Sequence, residues 1–381
     1  MNVEKIRNEF PILKKNIIYF DNACMPLRPR CVIDKINEYY SEYPSCAGRS
    51  HHKLGIRLTK EVNMARDSIK KLIGAKKSEE IIFTKNATEA INLIAHSLKF
   101  NVVVTSDREH NSNLLPWQKF EHRVVKSNLD NTFNLDDFSE KVVGADLVSI
   151  VYTSNLDGYT LPVREIIEIA HNNGALVLLD AAQTVPNKKI DVRKLDVDFL
   201  VFSGHKMLAP TGIGVLYGKE NLLNDLNPFI LGGETVYDST YDSFKLEKLP
   251  HKFEAGLQNY AGIVGLGAAA KFLMKVGLDN IEKHEKMLKQ HIDVEGLEII
   301  GYLGESGIFN FNIPGLNSHE VAMMLDSSKN IMVRSGAHCL HSWFNSKNIK
   351  GSVRASFYLY NTIEEVKLFN EELKKLKKLV K

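Results

Sequence analysis

The chain is poor in cysteine. Four thiols, Cys24, Cys31, Cys46 and Cys339, are spread over 381 residues. None forms a C-x-x-C pair, and four in so long a chain make no disulfide framework, so a reducing, cytoplasmic setting is expected. Long hydrophobic runs are missing too. No apolar stretch approaches the ~18 residues a membrane helix needs. The start, Met1-Asn2-Val3-Glu4-Lys5, carries no apolar signal core, so neither membrane insertion nor secretion is expected. Charge of one sign is also lacking: Lys and Arg total 49 against 46 for Asp and Glu, a net charge of +3 with 13 His counted neutral. That balance, without a basic block, leaves no electrostatic footprint for nucleic acid. The basic tail from Glu371 to Lys378 keeps its leucines at helical spacing and reads as a solvated helix face. Three motifs are absent as well: G-x-x-x-x-G-K-[ST], G-x-G-x-x-G after a first strand, and H-E-x-x-H. Nucleotide hydrolysis, nicotinamide chemistry and zinc proteolysis lose their usual signatures. His338-Cys339-Leu340-His341 has no second ligand pair, so no metal site is expected.

What is present is an ordinary globular composition, 44% apolar and 25% charged, long enough for two domains. Short apolar runs alternate with helical patterns: Ile81 to Thr84, Val102 to Thr105, Leu147 to Tyr152, Val177 to Asp180, Phe199 to Ser203 and Gly214 to Tyr217. A helix opens after Pro162, a favoured first-turn residue. This rhythm predicts an α/β fold, a mainly parallel central sheet flanked by helices. A long small-residue helix starts near Tyr260. Beyond it, Ile308 to Ile313 alternates with period two, as half-buried antiparallel strands do. Ser318 to Leu325 and Thr362 to Leu379 read as helices. We therefore expect a large domain over 16–265 and a smaller α+β domain over 266–381, with residues 1–15 packed on the latter.

Two runs carry the chemistry. Val177-Leu178-Leu179-Asp180 ends in a carboxylate, and Phe199-Leu200-Val201-Phe202-Ser203-Gly204-His205-Lys206 ends in an amine. Ligands of open α/β sheets bind outside the carboxyl ends of the strands. One cofactor needs that pair. Pyridoxal 5'-phosphate bonds a lysine covalently and needs an acidic partner for its pyridine nitrogen. Ser203 and His205 can donate to its phosphate, and Gln183 can reach the phenolic oxygen. Lys85-Asn86-Ala87-Thr88-Glu89-Ala90 turns from a strand into a helix. Thr88 reads there as the N-cap, and the helix N-terminus, with Ala87 and Thr88, as the main phosphate cradle. His110, after the strand ending at Ser106, reads as an imidazole stacked on the ring with access to proton transfers. Asn155, at another strand end, can bond the ring oxygen or the substrate. Arg354, inside the apolar strand Val353-Arg354-Ala355-Ser356, needs an anionic partner, and a substrate carboxylate fits. Cys339 lies in a glycine-containing loop with His338, near Arg334 and His341. Positive neighbours raise the thiolate fraction, so it reads as the nucleophile. Cys24, Cys31 and Cys46 read as small buried hydrophobes.

With these residues in place, the chain resembles the cysteine desulfurases of group II, the Suf type. These are class V members of the fold-type I pyridoxal-phosphate transferases. The resemblance runs from Tyr19-Phe20-Asp21 to Tyr360-Asn361-Thr362. It is carried by Glu109-His110, Ser154-Asn155, Asp180-Ala181-Ala182-Gln183, Ser203-Gly204-His205-Lys206, Phe253-Glu254-Ala255-Gly256, Arg334 through Cys339, and Arg354-Ala355-Ser356. Arg49-Ser50-His51-His52-Lys53-Leu54 resembles the family's R-x-x-H-x-L segment, which implies His52 near the substrate entrance. The resemblance implies a homodimer whose active sites are completed by the partner chain, with a backbone donor near Gly256 for the partner's cofactor phosphate. Leu257 follows Gly256 where a threonine is common, and Ala337 stands where the loop often has a first histidine. The implied activity converts L-cysteine to L-alanine, leaving a persulfide on Cys339 for a small acceptor or scaffold protein in iron–sulfur cluster assembly or a related thiolation. Lys206 holds the cofactor and removes the Cα proton, and Arg354 holds the substrate carboxylate. The alternatives are selenocysteine lyase, cysteine-sulfinate desulfinase or another β-lyase on the same fold, and a sulfur-relay protein with little activity alone.

Overall fold

A computed structural model describes residues 1–304 and 306–380; Glu305 and Lys381, both in the span assigned to the smaller domain, lie outside the described residues. The central sheet has seven strands in the order Ile81–Thr84, Gly214–Gly218, Phe199–Ser203, Leu176–Asp180, Leu147–Val151, Val102–Ser106 and Glu121–Val125. From Phe199–Ser203 to the Glu121 edge every pairing is parallel. Gly214–Gly218 runs antiparallel to both of its neighbours. The apolar runs become strands because both faces are covered. Leu200 and Phe202 pack into one core with the helices Lys53–Ile73 and Tyr260–Val276, while Phe199 and Val201 pack into another with Ala87–Ser97. This is the alternation of a strand buried on two sides. Glu121–Val125 was not expected. It is an edge strand with one buried residue, Val125, and so lacks the apolar run that marks the others.

A four-stranded antiparallel sheet follows, ordered Glu298–Ile299, Ile308–Asn312, Ser352–Ser356, Arg334–Gly336. The helices Ser318–Lys329 and Ile363–Lys377 cover it through Val321, Leu325, Val366, Phe369 and Leu373. Thr362 and Glu365 cap the latter helix reciprocally. Residues 18–24 stitch the two sheets together. Ile18 and Tyr19 pair with Ile331 and Met332, Asp21 bridges Ser356, and the Asn22 amide donates to Ser356 O (2.6 Å). The helix Tyr260–Val276 passes unbroken through position 266 and buries Leu266, Ala269, Ala270 and Leu273 against the central sheet's core. The chain bends by 73° only at Gly277, before Leu278–Gln290. Phe10 and Leu13 join the large core, whereas Arg7 pairs with Glu365 of the smaller layer (2.8 Å). Among the described residues no single helix is long and apolar enough to cross a membrane.

One glycine sets how closely the Ala87 helix approaches the Lys206 strand. Gly214 pairs with Thr84 on one side and Ser203 on the other. A Cβ there would lie 2.5 Å from the Asn86 Cα. Gly214→Ala should therefore cost about 1–3 kcal/mol through overpacking against backbone. Chemical denaturation measures this, and an unchanged midpoint would contradict the close docking.

Candidate active site

Asp180 and Lys206 stand at the ends of adjacent parallel strands, Lys206 on the tight turn Gly204–Lys206. Asp180 is 4% exposed and its Oδ1 accepts the Ala182 N–H (3.0 Å). Burial raises the Asp180 carboxyl above its ordinary pKa, opposed by the Lys206 charge and that N–H. Burial likewise lowers the Lys206 ammonium, opposed by Asp180, while Arg354 lowers it further. Each group favours the charged form of the other.

Anion donors gather beside this pair. The N-cap of the Ala87–Ser97 helix is Asn86, whose Oδ1 accepts the Glu89 N–H (3.0 Å), and not Thr88 as expected. Asn86 has the extended backbone a cap requires, while Thr88 is already in the first turn. The Ala87 N–H donates to Ser203 Oγ (3.0 Å), so the helix N-terminus and the Lys206 strand share a corner. Thr88 Oγ1 meets Ser112 Oγ (2.7 Å), and the Ser112 N–H donates to His110 Nδ1 (3.1 Å). That bond leaves the proton of the neutral His110 ring on Nε2. Burial first, then the charges of Lys206, Arg354 and Arg334, push His110 down to about 3. His205 is pushed down to about 4 by burial and by Lys206. The Gln183 amide donates to Ala23 O (2.7 Å), tethering the 18–24 segment.

The residue before His110 had no assigned role. Glu109 is fully buried, accepting from the Ser106 hydroxyl, the Val151 N–H (3.0 Å) and the Asn113 amide (2.6 Å). Burial pushes its carboxyl up to about 8. Behind it, the buried Arg108–Asp157 pair (2.7 Å) ties this loop to the one carrying Asn155.

Arg354 is 2% exposed. It donates to Asn155 O (2.8 Å) and lies 3.6 Å from Asp21, while its Nε has no partner. Directly opposite in the antiparallel register stands Arg334. Like charges facing each other across strands repel unless an anion joins them. Asn155 links this corner to the cysteine loop: its Nδ2 donates to His338 O (2.9 Å) and its buried Oδ1 has no partner. Gly336, His338 and Cys339 have φ of 109°, 50° and 61°. Two non-glycine residues so close together in the left-handed region store strain, which the Asn111 N–H to Cys339 O bond (2.9 Å) helps to hold.

Two expectations are corrected here. His338 is not a positive neighbour of Cys339. Its ring is buried against Ser352 Oγ (3.0 Å), and burial, with the Arg354 and Arg334 charges, pushes it down to about 2. His341 instead meets the Asn111 amide (3.0 Å). The cations within electrostatic reach of Cys339 are Lys206 and Arg354. Nor is Cys24 a bystander. Arg334 Nη1 donates to its sulfur (2.7 Å), and the thiol lies within electrostatic reach of both Lys206 and Arg354. Nothing local in the sequence marks it, because Arg334 arrives from 310 positions away. His52 and Gly256 join none of these contacts. His52 is an exposed N-cap of the Lys53–Ile73 helix, and the Gly256 N–H donates to Gly233 O (2.8 Å).

Residues 18–369 match the aminotransferase class-V family model, and the chain belongs to that family. A relative from Halalkalibacterium halodurans, named a probable cysteine desulfurase, is 39% identical over 99% of this chain and 98% of its own. Among solved structures, the apo cysteine desulfurase of Thermococcus onnurineus NA1 is 37% identical, with a TM-score of 0.93 over 99% of this chain and 98% of its own. The cysteine desulfurase CsdA of Escherichia coli is 30% identical, with a TM-score of 0.92 over 100% of both chains. The α/β fold expected from the strand rhythm is the fold of these proteins.

The buried His338 makes stability pH-dependent. Above about 6.5 both folded and unfolded chains carry it neutral; below, only the unfolded chain takes the proton until about pH 2. Stability should therefore fall with pH from about 6.5 downward, this residue contributing up to about 1.4 kcal/mol per pH unit. Denaturation between pH 7 and 5 should show a shallower slope for His338→Asn than for wild type. Equal slopes would contradict the neutral, buried ring.

Proposed function

We propose that the chain is a pyridoxal-phosphate-dependent cysteine desulfurase. The observation that carries this reading is the meeting of a lysine–carboxylate pair, Lys206 facing Asp180, with Arg354 tied through Asn155 to the strained Cys339 loop. The donor set fits the cofactor. Ser203, His205, Thr88 and the Ala87 helix N-terminus surround the place for a phosphate, Asp180 suits a pyridinium, and Asn155 Oδ1 and Arg354 Nε remain buried and unpartnered. Gln183, beside Lys206, would serve the ring's phenolic oxygen. When bound, the cofactor supplies an electron sink for the substrate Cα.

The chain's own groups do the rest. Lys206 anchors the cofactor and, once released, takes the Cα proton. Its burial favours the neutral amine that such a base must be. Asp180 keeps the pyridine nitrogen protonated. His110, neutral with its proton on Nε2, would be available to the ring and the leaving sulfur. Arg354 holds the substrate carboxylate, with Asn155 beside it, and Arg334 adds positive potential. The Cys339 thiolate attacks the substrate sulfur. The new S–S bond would form as the C–S bond breaks, the electron pair of the broken bond passing to Cβ, which takes up a proton while Lys206 returns its proton to Cα, so that a persulfide remains on Cys339 and alanine is released.

The wider assignment follows the resemblance to the Suf-type desulfurases. We place the enzyme in the cytoplasm, passing sulfur to a small acceptor or scaffold protein for iron–sulfur assembly or thiolation. We also propose a homodimer. The hairpin of Val236–Ser239 and Phe244–Leu246 exposes Tyr237, Tyr241 and Phe244, near the exposed Phe229, Ile230 and Leu231 in sequence. So much apolar surface suits a partner subunit. In that dimer Gly256 and His52 would serve the neighbouring site. Within the subunit we place the division between the two domains at Gly277, where the helix ends.

Purified protein given cysteine should form alanine and, with a reductant, sulfide; no alanine would defeat this reading. Selenocysteine and cysteine sulfinate tested alongside separate the lyase and desulfinase alternatives. Asp180→Asn should still take up cofactor yet lose about 10²-fold or more in kcat, because an amide cannot hold the ring nitrogen protonated. Activity near wild type would remove Asp180 from that role. Cys339→Ala should keep the substrate-induced spectral change of the cofactor but lose alanine formation and any protein persulfide. A persulfide on Cys24, Cys31 or Cys46 in place of Cys339 would show that a different thiol is the nucleophile.

A further inference from the structure

The buried Glu109 is met on both carboxylate oxygens by groups that can only donate. The Val151 N–H reaches Oε1 (3.0 Å) and the Asn113 Nδ2 reaches Oε2 (2.6 Å). The Asn113 amide cannot turn over, because its Oδ1 accepts the Trp117 indole N–H (3.2 Å) and the Ser149 hydroxyl (2.6 Å), and an indole N–H has no acceptor role. Ser106 is the adaptable partner. Its oxygen accepts the Arg108 N–H (3.2 Å) and its hydroxyl donates to Glu109 Oε1. Should Glu109 become the acid, the added proton fits on Oε1 facing that same oxygen, so the contact persists in either state.

These bonds pin one loop to the ends of two neighbouring strands, since Ser106 ends Val102–Ser106 and Val151 ends Leu147–Val151. Val151 is also the register partner of Asp180. The pinned loop carries His110, and the Asn113 N–H closes it onto His110 O (2.7 Å). One residue further on, the Asn111 N–H donates to Cys339 O (2.9 Å). We propose that Glu109 is a positioning residue that holds His110 and the Cys339 loop in a fixed relation to each other across the site. This role rests on His110 and Cys339 acting in the proposed reaction. Glutamine at 109 could not take it over. Its single acceptor oxygen can face the Val151 N–H or the Asn113 amide, and its NH2 group then opposes the other donor.

The test joins kinetics with hydrogen–deuterium exchange on the cofactor-loaded protein. Glu109→Gln should lose about tenfold or more in kcat for alanine formation, with KM for cysteine unchanged because Arg354 and Asn155 hold the substrate. Exchange should quicken in residues 106–113 and also in 336–340, outside the substituted loop. The double variant Glu109→Gln/Asn113→Asp should restore both measurements. Its new carboxylate at 113 accepts from Trp117, Ser149 and the new amide at 109, so every donor again faces an acceptor. Asn111→Pro cuts the link from the other side. It stands first in the short turn Asn111–Asn113, where proline is tolerated, and it deletes the N–H that reaches Cys339. It should quicken exchange in 336–340, leave 106–110 as in wild type, and lower kcat with KM unchanged. Unchanged kcat in Glu109→Gln or Asn111→Pro, quickened exchange confined to 106–113 in Glu109→Gln, or a double variant as slow as the single would overturn the proposal. Should the wild type form no alanine, the larger reading fails on that result, while exchange in the two segments still decides whether Glu109 couples them.

Discussion

The site depends on two opposite charges at the ends of neighbouring strands, the carboxylate buried and the amine half-buried. Lys206 and Asp180 each move toward their neutral forms on burial, and each is held back by the other. Such a pair is a poor source of stability, because desolvation offsets its attraction. The fold keeps it where ligands of α/β sheets bind, at the strands' carboxyl edge. The strands themselves are stabilised elsewhere, by apolar faces packed into two cores. Stability and chemistry are thereby separated along each strand: the apolar run belongs to the core and the terminal residue to the site.

A second electrostatic problem is set by the smaller sheet. Arg334 and Arg354 face each other in register with Asp21 3.6 Å from the latter. Positive potential is built in before any substrate arrives, directed at a place where a carboxylate would sit. The surrounding loops are fixed by buried polar contacts. Arg108–Asp157, the bonds to Glu109, and Asn155 between His338 and Arg354 leave little freedom. Rigid anchorage of this kind is what allows Cys339 to be held in a left-handed backbone.

The sequence was most legible where apolar runs end abruptly. Asp180 and Lys206 stand out because a buried run, Val177 to Leu179 and Phe199 to Gly204, leads up to each. Asn155, Ser203 and His110 follow from the same pattern of strand ends. Legibility failed where a residue's surroundings come from distant chain. Cys24 owes its place to Arg334, and His338 has no local sign that Ser352 and Phe344 enclose it. Asn86 and Thr88 are both good caps by composition, and only the extended backbone of Asn86 decides between them. The Glu121 strand lacked a hydrophobic signature because it lies at an edge, and the helix through position 266 shows no break for a boundary to follow.

The proposed chemistry stands or falls on Lys206 being the residue to which pyridoxal phosphate attaches. Purified protein titrated with the cofactor should gain visible absorbance, and borohydride reduction followed by peptide mapping should fix the label on Lys206. A protein that gains no absorbance, or a label on another lysine such as Lys188, would contradict it.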